Sequence, residues 1–263
     1  MKKIEHTFVV MAYGESPYLR DCILSLKNQT IKSGILVSTS TPSKYIDDIA
    51  AEFELEVNVN NHKPSLCDDW NSALDLAKTQ FVTLAHQDDV YGEKYCELIL
   101  GKMKEANLPI IGFSGSGEIV HSKKVVDTTN LKVKRMLLKP LENSKMSSSV
   151  LVKRRCLSLG NSIACPSVCY NLQVVKRPLF EKNFDSNLDW EAWEKLSRLK
   201  GSFAYVKEPL VWHRIHESSE TSRLIEDDTR NKEDLAMLKK FWPASIAKMI
   251  FSQYKKAQKG NVT

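Results

Sequence analysis

The 263-residue chain has no apolar run near the ~20 residues that a membrane span requires. Its opening, MKKIEHTFVVMAYGES, is basic, but the apolar stretch is too short for a signal peptide and runs straight into Tyr13-Gly14-Glu15. The six cysteines have no metal-ligand rhythm: Cys165 and Cys169 are separated by three residues and no second pair faces them. With no export signal, these thiols are expected to be reduced and the protein cytoplasmic. The chain also lacks an early Gly-rich strand-to-helix turn. Gly115-Ser116-Gly117 comes too late for a dinucleotide fingerprint and reads as a flexible loop. Six histidines are a thin supply for a metal-dependent phosphoester hydrolase, which draws on several His and Asp ligands. No stacking-aromatic ribbon is visible, which argues against nucleic acid as a partner.

Acid is missing from the end of the chain. Lys239–Thr263 holds six lysines and no acid, and the rest of the chain has 32 basic against 32 acidic residues. The net charge of +6 therefore lies in that tail, and a balanced body is again unlike a nucleic-acid enzyme. Hydrophobic residues make up 42% and charged residues 27%, a composition that supports a packed globule.

The stretch that stands out is Gln80–Tyr91, QFVTLAHQDDVY. Phe81–Ala85 reads as a buried strand. It ends in His86-Gln87-Asp88-Asp89, where adjacent like charges are locally unfavourable. Two readings stay open. Asp-Asp before a helix is ordinary capping chemistry. Carboxylates and an imidazole at a strand's C-terminal end also suit a hard cation that holds a diphosphate, and ligands of open α/β sheets sit at those ends.

The flanking pattern alternates strand and helix. Thr7–Met11, Ile35–Thr39, Leu55–Val59, Phe81–Ala85 and Pro109–Phe113 read as strands. Helices are expected over Tyr18–Gln29, Ser43–Phe53, Cys67–Ala77 and Glu93–Ala106, the first with Ser16 as N-cap and Pro17 in its first turn. This is the pattern of a mostly parallel sheet with helices on both faces. Later segments read as a helix over Ser147–Leu159, a strand over Ser167–Tyr170, a helix over Leu188–Leu199 and a strand over Ser202–Val206. A charged helix over Arg223–Phe241 and a last one after Pro243 follow. Lys153-Arg154-Arg155 is expected to be a solvated face or a phosphate contact.

Four pieces in order, VVMAYGESPYLRDCILSLKNQT, WNSALDLAKTQFVTLAHQDDVY, LDWEAWEKL and HRIHESSET, resemble the family 2 glycosyltransferases over roughly residues 5–225. The resemblance implies a Rossmann-like nucleotide-diphospho-sugar transferase fold, with a nucleotide-binding half over 1–114, an acceptor half over 115–225 and a helical extension over 226–263. It implies a nucleotide-sugar donor, a divalent cation (Mn²⁺ or Mg²⁺), a saccharide or lipid-linked acceptor and inversion by direct displacement. The implied donor contacts are Ala12, Tyr13, Glu15, Asn71, His86, Gln87, Asp88 and Arg214. The implied cation ligands are Asp88, His86 and His216, with Asp89 as a helper or a helix cap, and the implied base is Asp189. Glu191 lies roughly 200° further around the same helix and cannot aim at the same acceptor. His213 and His216 alternate along an extended segment, so one is expected to face away. Asn161 and Pro166-Ser167 resemble the acceptor-side segment.

Two departures stand against the pattern. His86 occupies the place of the family's first acid, and Ser38-Thr39-Ser40-Thr41 lacks the carboxylate expected after strand two. Both leave open a non-catalytic sugar-nucleotide binder or scaffold of the same fold. In the tail, Ile246, Met249, Ile250, Tyr254 and Ala257 fall on one helical face and Lys248, Ser252, Lys255 and Lys259 on another. That pattern suits contact of 243–259 with an anionic inner membrane leaflet, and surface-polysaccharide synthesis on a lipid-linked acceptor, or a helix packed on the body with its lysines solvated.

Overall fold

The computed structural model describes residues 4–216 and 229–259. The first half repeats strand and helix: β1 (His6–Ala12), α1 (Leu19–Lys27), β2 (Gly34–Thr39), α2 (Lys44–Glu52), β3 (Val57–Val59), α3 (Leu66–Leu76) and β4 (Phe81–His86). β5 (Val90–Tyr91), α4 (Tyr95–Glu105), β6 (Pro109–Val120) and β7 (Lys123–Val125) follow. The second half holds α5 (Thr129–Leu138), α6 (Ser144–Ser147), α7 (Val150–Leu157), β8 (Val168–Asn171), α8 (Leu188–Ser197), β9 (Ser202–Arg214), α9 (Thr229–Lys239) and α10 (Ala244–Lys259).

One sheet runs β3-β2-β1-β4-β8-β6-β9-β5, with β7 on β6. β3, β2, β1 and β4 are all parallel. Beyond β4 the sheet is mixed: β8 is antiparallel to both β4 and β6, while β9 is parallel to β6. Side chains alternate across the pleat, so both faces carry a core. Phe8 and Val10 pack with α1, α2 and α4, whereas Val9, Val82 and Leu84 pack with α3, α7, α8, α9 and α10. The expected inward residues hold: Leu19, Cys22, Ile23 and Leu26 of α1, Trp70 and Leu74 of α3, and Trp190 and Trp193 of α8 are all buried.

Three expectations change. Gly115-Ser116-Gly117 lies within β6 and is not a loop. A Cβ on Gly115 would stand 2.5 Å from the Lys207 carbonyl, and one on Gly117 2.8 Å from the Trp212 ring. The glycines are there because β9 approaches closely, a strand-interior use of glycine. Of the cluster 153–155 only Arg155 is exposed, and the other two are held inside the chain. Lys153 is fully buried and donates to the Leu199 and Gly201 carbonyls at 2.7 Å, while Arg154 pairs with Glu194. In α10, Ala247 is buried and Ile250 and Phe251 pack on the body, but Ile246 and Met249 are 37% and 62% exposed. The face read from the sequence is thus split, and side chains beyond Gln253 lie outside the described residues.

Candidate active site

The site forms where β1, β2 and β4 end together, with Ala12 opposite Thr39 and Met11 opposite His86. After Ala12 the chain must turn, and Gly14 supplies φ +60° in open space. Its N–H donates to Thr41 Oγ1 at 2.8 Å, which ties this loop to the one after β2. Gln87 ties it to the β4 loop, accepting from the Tyr13 N–H at 2.9 Å and donating to the Tyr13 carbonyl at 2.8 Å. Gln87 therefore holds the backbone of the loop after β1, a positioning role that its type alone does not reveal. The Tyr13 ring is left 58% exposed, and Glu15 is exposed on the same loop.

Asp88 is the centre of this end of the sheet. Ser16 donates to its Oδ1 at 2.5 Å, and His216 Nε2 stands 3.4 Å from its Oδ2. Ser16 is thus drawn to the carboxylate, and α1 begins at Leu19 with no side-chain cap. Arg214 donates from Nε to the Asp88 carbonyl at 3.1 Å and lies 4.2 Å over the Tyr18 ring.

Asp89 corrects one expectation: it does not cap the following helix, whose N-cap is Lys94, and its Oδ2 is buried with no hydrogen-bond partner. It is fully buried, and its Oδ1 accepts from His213 Nδ1 at 2.9 Å and from the Arg214 N–H at 3.1 Å. Burial alone would raise its pKa, but the charge and hydrogen bond of His213 hold it below the usual carboxylate range. His213 in turn is disfavoured by burial, yet Asp89 outweighs that and raises its pKa. Neither histidine faces away. The chain leaves extended geometry after Arg214, so His213 reaches Asp89 and His216 reaches Asp88. Glu217–Thr221 of the expected closing loop lie outside the described residues.

His86 packs its ring 5.5 Å from Trp70, its Nε2 is buried with no hydrogen-bond partner, and burial lowers its pKa. Asn71 does not reach the site: its amide donates to the Phe180 carbonyl at 2.9 Å and accepts from the Leu179 and Phe180 N–H groups at 3.0 and 3.1 Å. It pins the 179–180 segment to α3. A carboxylate missing from the end of β2 arrives instead from α3. Asp69 accepts from Ser40 Oγ at 3.0 Å and from Asn60 Nδ2 at 2.9 Å. Nothing local marked it, because Asp69 lies 29 residues from Ser40 along the chain.

Asp189 lies in the first turn of α8. Asn161 Nδ2 donates to its Oδ2 at 2.7 Å and the Trp190 N–H to its Oδ1 at 2.7 Å. Burial raises the Asp189 pKa, against the two hydrogen bonds. Glu191 is buried and paired with Lys240 at 2.7 Å and Lys195 at 3.1 Å, a structural role. Cys165 feels both Asp89 and Asp189, and Lys134 feels both Asp189 and Glu118, the glutamate that also acts on His213. The acidic loop and the start of α8 therefore lie within electrostatic reach of the same side chain, Cys165.

The glycosyl transferase family 2 model matches residues 7–150, more than half of the chain. The chain belongs to glycosyl transferase family 2. It is 25% identical over 229 residues to the Bacillus subtilis (strain 168) protein named "Putative glycosyltransferase EpsH", covering 82% of this chain. The match spans 62% of that relative's length. Among solved structures, S. aureus TarS 1-349 in complex with UDP-GlcNAc superposes with a TM-score of 0.63 at 14% identity, over 95% of this chain and 71% of that one. The mannosyltransferase PcManGT from Pyrobaculum calidifontis, in complex with GDP-Man and Mn²⁺, gives 0.62 at 9% identity, over 94% and 69%. These likenesses establish the fold. The α/β architecture read from the sequence stands.

Proposed function

We propose that this family 2 chain transfers a sugar from a nucleotide-diphosphate donor to a hydroxyl of a saccharide or lipid-linked acceptor, with inversion. The observation that carries the reading is a pair of unlike carboxylates. Asp88 sits in the β4 loop with His216 at 3.4 Å, and Asp189 is half-buried on α8 with its pKa raised. A carboxylate beside an imidazole at a strand end and a carboxyl whose pKa is raised on a helix suit different tasks.

The donor nucleotide would lie across the loops after β1 and β2, with its base against the exposed Tyr13 ring. Asp69, Ser40 and Asn60 offer a polar edge beside it. A divalent cation fits the donor set in an open form: Asp88 supplies hard oxygen and His216 a nitrogen. Among the described residues no group of three or more His, Cys, Asp or Glu converges, so diphosphate oxygens and water would complete the shell. When bound, the cation would stabilise charge on the departing diphosphate. Asp189 accepts the proton of the attacking hydroxyl. Its raised pKa makes it a stronger base than an exposed aspartate, and Asn161 fixes its orientation.

A scaffold of the same fold is the second reading, favoured by His86 in place of an acid and by its unpartnered Nε2.

Thermal shifts with UDP, GDP, TDP and CMP, each with Mn²⁺ or EDTA, test the reading. A ligand at ~100 times its Kd should stabilise by roughly 2.7 kcal/mol. A metal-dependent shift with one nucleotide, lost in Asp88→Ala, is expected and names the donor class. No shift with any nucleotide would leave the scaffold.

A further inference from the structure

The positive charge has a second location that the chain-wide sum conceals. Residues 128–155 hold eight lysines and arginines against one acid, Glu142. The fold absorbs half of them. Lys153 and Arg154 are bound internally, Lys134 and Arg135 line a cleft with Ser162 and Ala164, and Arg135 donates to the Val126 carbonyl. The other four, Lys132, Lys139, Lys145 and Arg155, are exposed, and none is ion-paired among the described residues.

These four are interleaved with exposed aliphatic side chains. On α5, Leu131 and Leu138 turn to the core, which leaves Lys132, Val133, Met136 and Lys139 on the outward stripe. Val133 is 44% and Met136 65% exposed. On α7, which packs against α5, Leu151 is 79% exposed one turn before Arg155. The stripe continues into α10. Arg155 lies 5.4 Å over the Trp242 ring, and Trp242 donates to the Ser158 carbonyl at 2.7 Å. One and two turns beyond Trp242 come Ile246 and Met249, the large apolar side chains of α10 that are exposed among the described residues, with Lys248 beside them.

Unpaired cations among exposed aliphatic side chains fit the boundary between anionic headgroups and acyl chains. Nucleic acid would call for stacking aromatics, and a protein partner for aromatics with few lysines. The surface offers neither. We infer that the outward face of α5 and α7, continued by the first turns of α10, docks on an anionic lipid bilayer. This goes beyond the tail, since most of the face lies on α5 and α7. It rests on the transferase reading only for its purpose. The opposite side of α5 carries Lys134, which lies within electrostatic reach of Asp189, so docking would bring a lipid-linked hydroxyl toward the base.

Vesicle co-sedimentation of the full chain tests it, with phosphatidylcholine alone or mixed with phosphatidylglycerol at about seven to three. Wild type should pellet only with the anionic vesicles and be released by salt. Met136→Glu/Leu151→Glu and, separately, Lys132→Gln/Lys139→Gln/Lys145→Gln should each lower partitioning at least tenfold. All of these positions are exposed, so thermal stability and nucleotide-induced shifts should match wild type and certify folding. Equal pelleting by wild type and both variants would overturn the inference, as would no pelleting of wild type. Binding of a single-stranded oligonucleotide, lost in the same variants while vesicles are ignored, would also overturn it. A chain that binds vesicles through this face but no nucleotide would sink the transferase reading and leave the docking surface standing.

Discussion

Asp89 and His213 stand 124 residues apart in the chain and 2.9 Å apart in space. The contact fastens the end of β9 to the acidic loop. Arg214 and His216 follow directly, so their approach to Asp88 depends on it. Asp89→Ala removes the acceptor of both His213 Nδ1 and the Arg214 N–H. A destabilisation of about 2 kcal/mol is expected, below the range for a sealed pair because the His213 side chain is 36% exposed. Urea unfolding of the double-mutant cycle with His213→Ala should show a coupling of about 1 kcal/mol. Strict additivity would mean the two residues merely lie near each other.

Tyr13 offers a cleaner separation of binding from folding. Its ring is exposed, and its hydrogen bonds to Gln87 come from its backbone alone. Tyr13→Ala should leave the melting temperature unchanged and weaken nucleotide about tenfold, roughly 1.4 kcal/mol, if a base stacks there. Calorimetric titration with the nucleotide chosen by the thermal-shift panel measures it, and an unchanged Kd removes Tyr13 from the site.

The acid limb of the transfer rate should report Asp189. Burial raises its pKa, and the Asn161 hydrogen bond partly offsets this by favouring the charged form. Asp189→Asn should lower kcat about 10²- to 10⁴-fold with little change in nucleotide affinity. Asn161→Ala should move the acid limb of kcat/KM to higher pH, because the carboxylate loses a donor. The stability sign follows. A carboxyl whose folded pKa exceeds its unfolded value of ~3.9 supports the fold fully below that pH and loses the contribution as pH rises through the folded value. Asn161→Ala should therefore cost more stability at pH 7 than at pH 3.5. The reverse order in urea midpoints would show that the Asn161 hydrogen bond does not favour the charged carboxylate.

The fold was legible because its cues are local. Leu19, Cys22, Ile23 and Leu26 repeat at helical spacing, and every strand of the first half alternates or runs apolar between turn residues. The candidate site could be proposed from the sequence where a carboxylate stands at the end of a strand, as at Asp88, or at the start of a helix, as at Asp189. It was not legible where a polar group meets a partner from another element. Asn71 and Gln87 have side chains suited to a ligand, yet both bind backbone of the chain itself. Asp69 and Ser16 carry no motif and acquire their partners only when the strand ends converge.

The glycines of β6 show the same limit, and they make a sharp test. Gly14 and Gly117 both look like loop residues in the sequence. Gly14 has φ +60° with nothing within 4 Å of an added Cβ, so Gly14→Ala meets only the backbone cost of that conformation, about 1 kcal/mol. Gly117→Ala meets atoms: its Cβ would lie 2.8 Å from Trp212 Cδ1 and 2.9 Å from the Val125 carbonyl oxygen. β7 and β9 flank it on both sides, so neither neighbour retreats without moving a strand. Trp212 precedes His213, so the strain passes to the contact with Asp89. Gly117→Ala should therefore cost about 1–3 kcal/mol by overpacking and also weaken metal-dependent nucleotide binding, although Gly117 touches no proposed ligand. Gly14→Ala lies in the loop after β1 but leaves β9 in place, so its stability loss should be the smaller one. Thermal melts of both variants decide the matter, and a Gly117→Ala protein as stable as wild type would mean that β6 and β9 are not pressed together here.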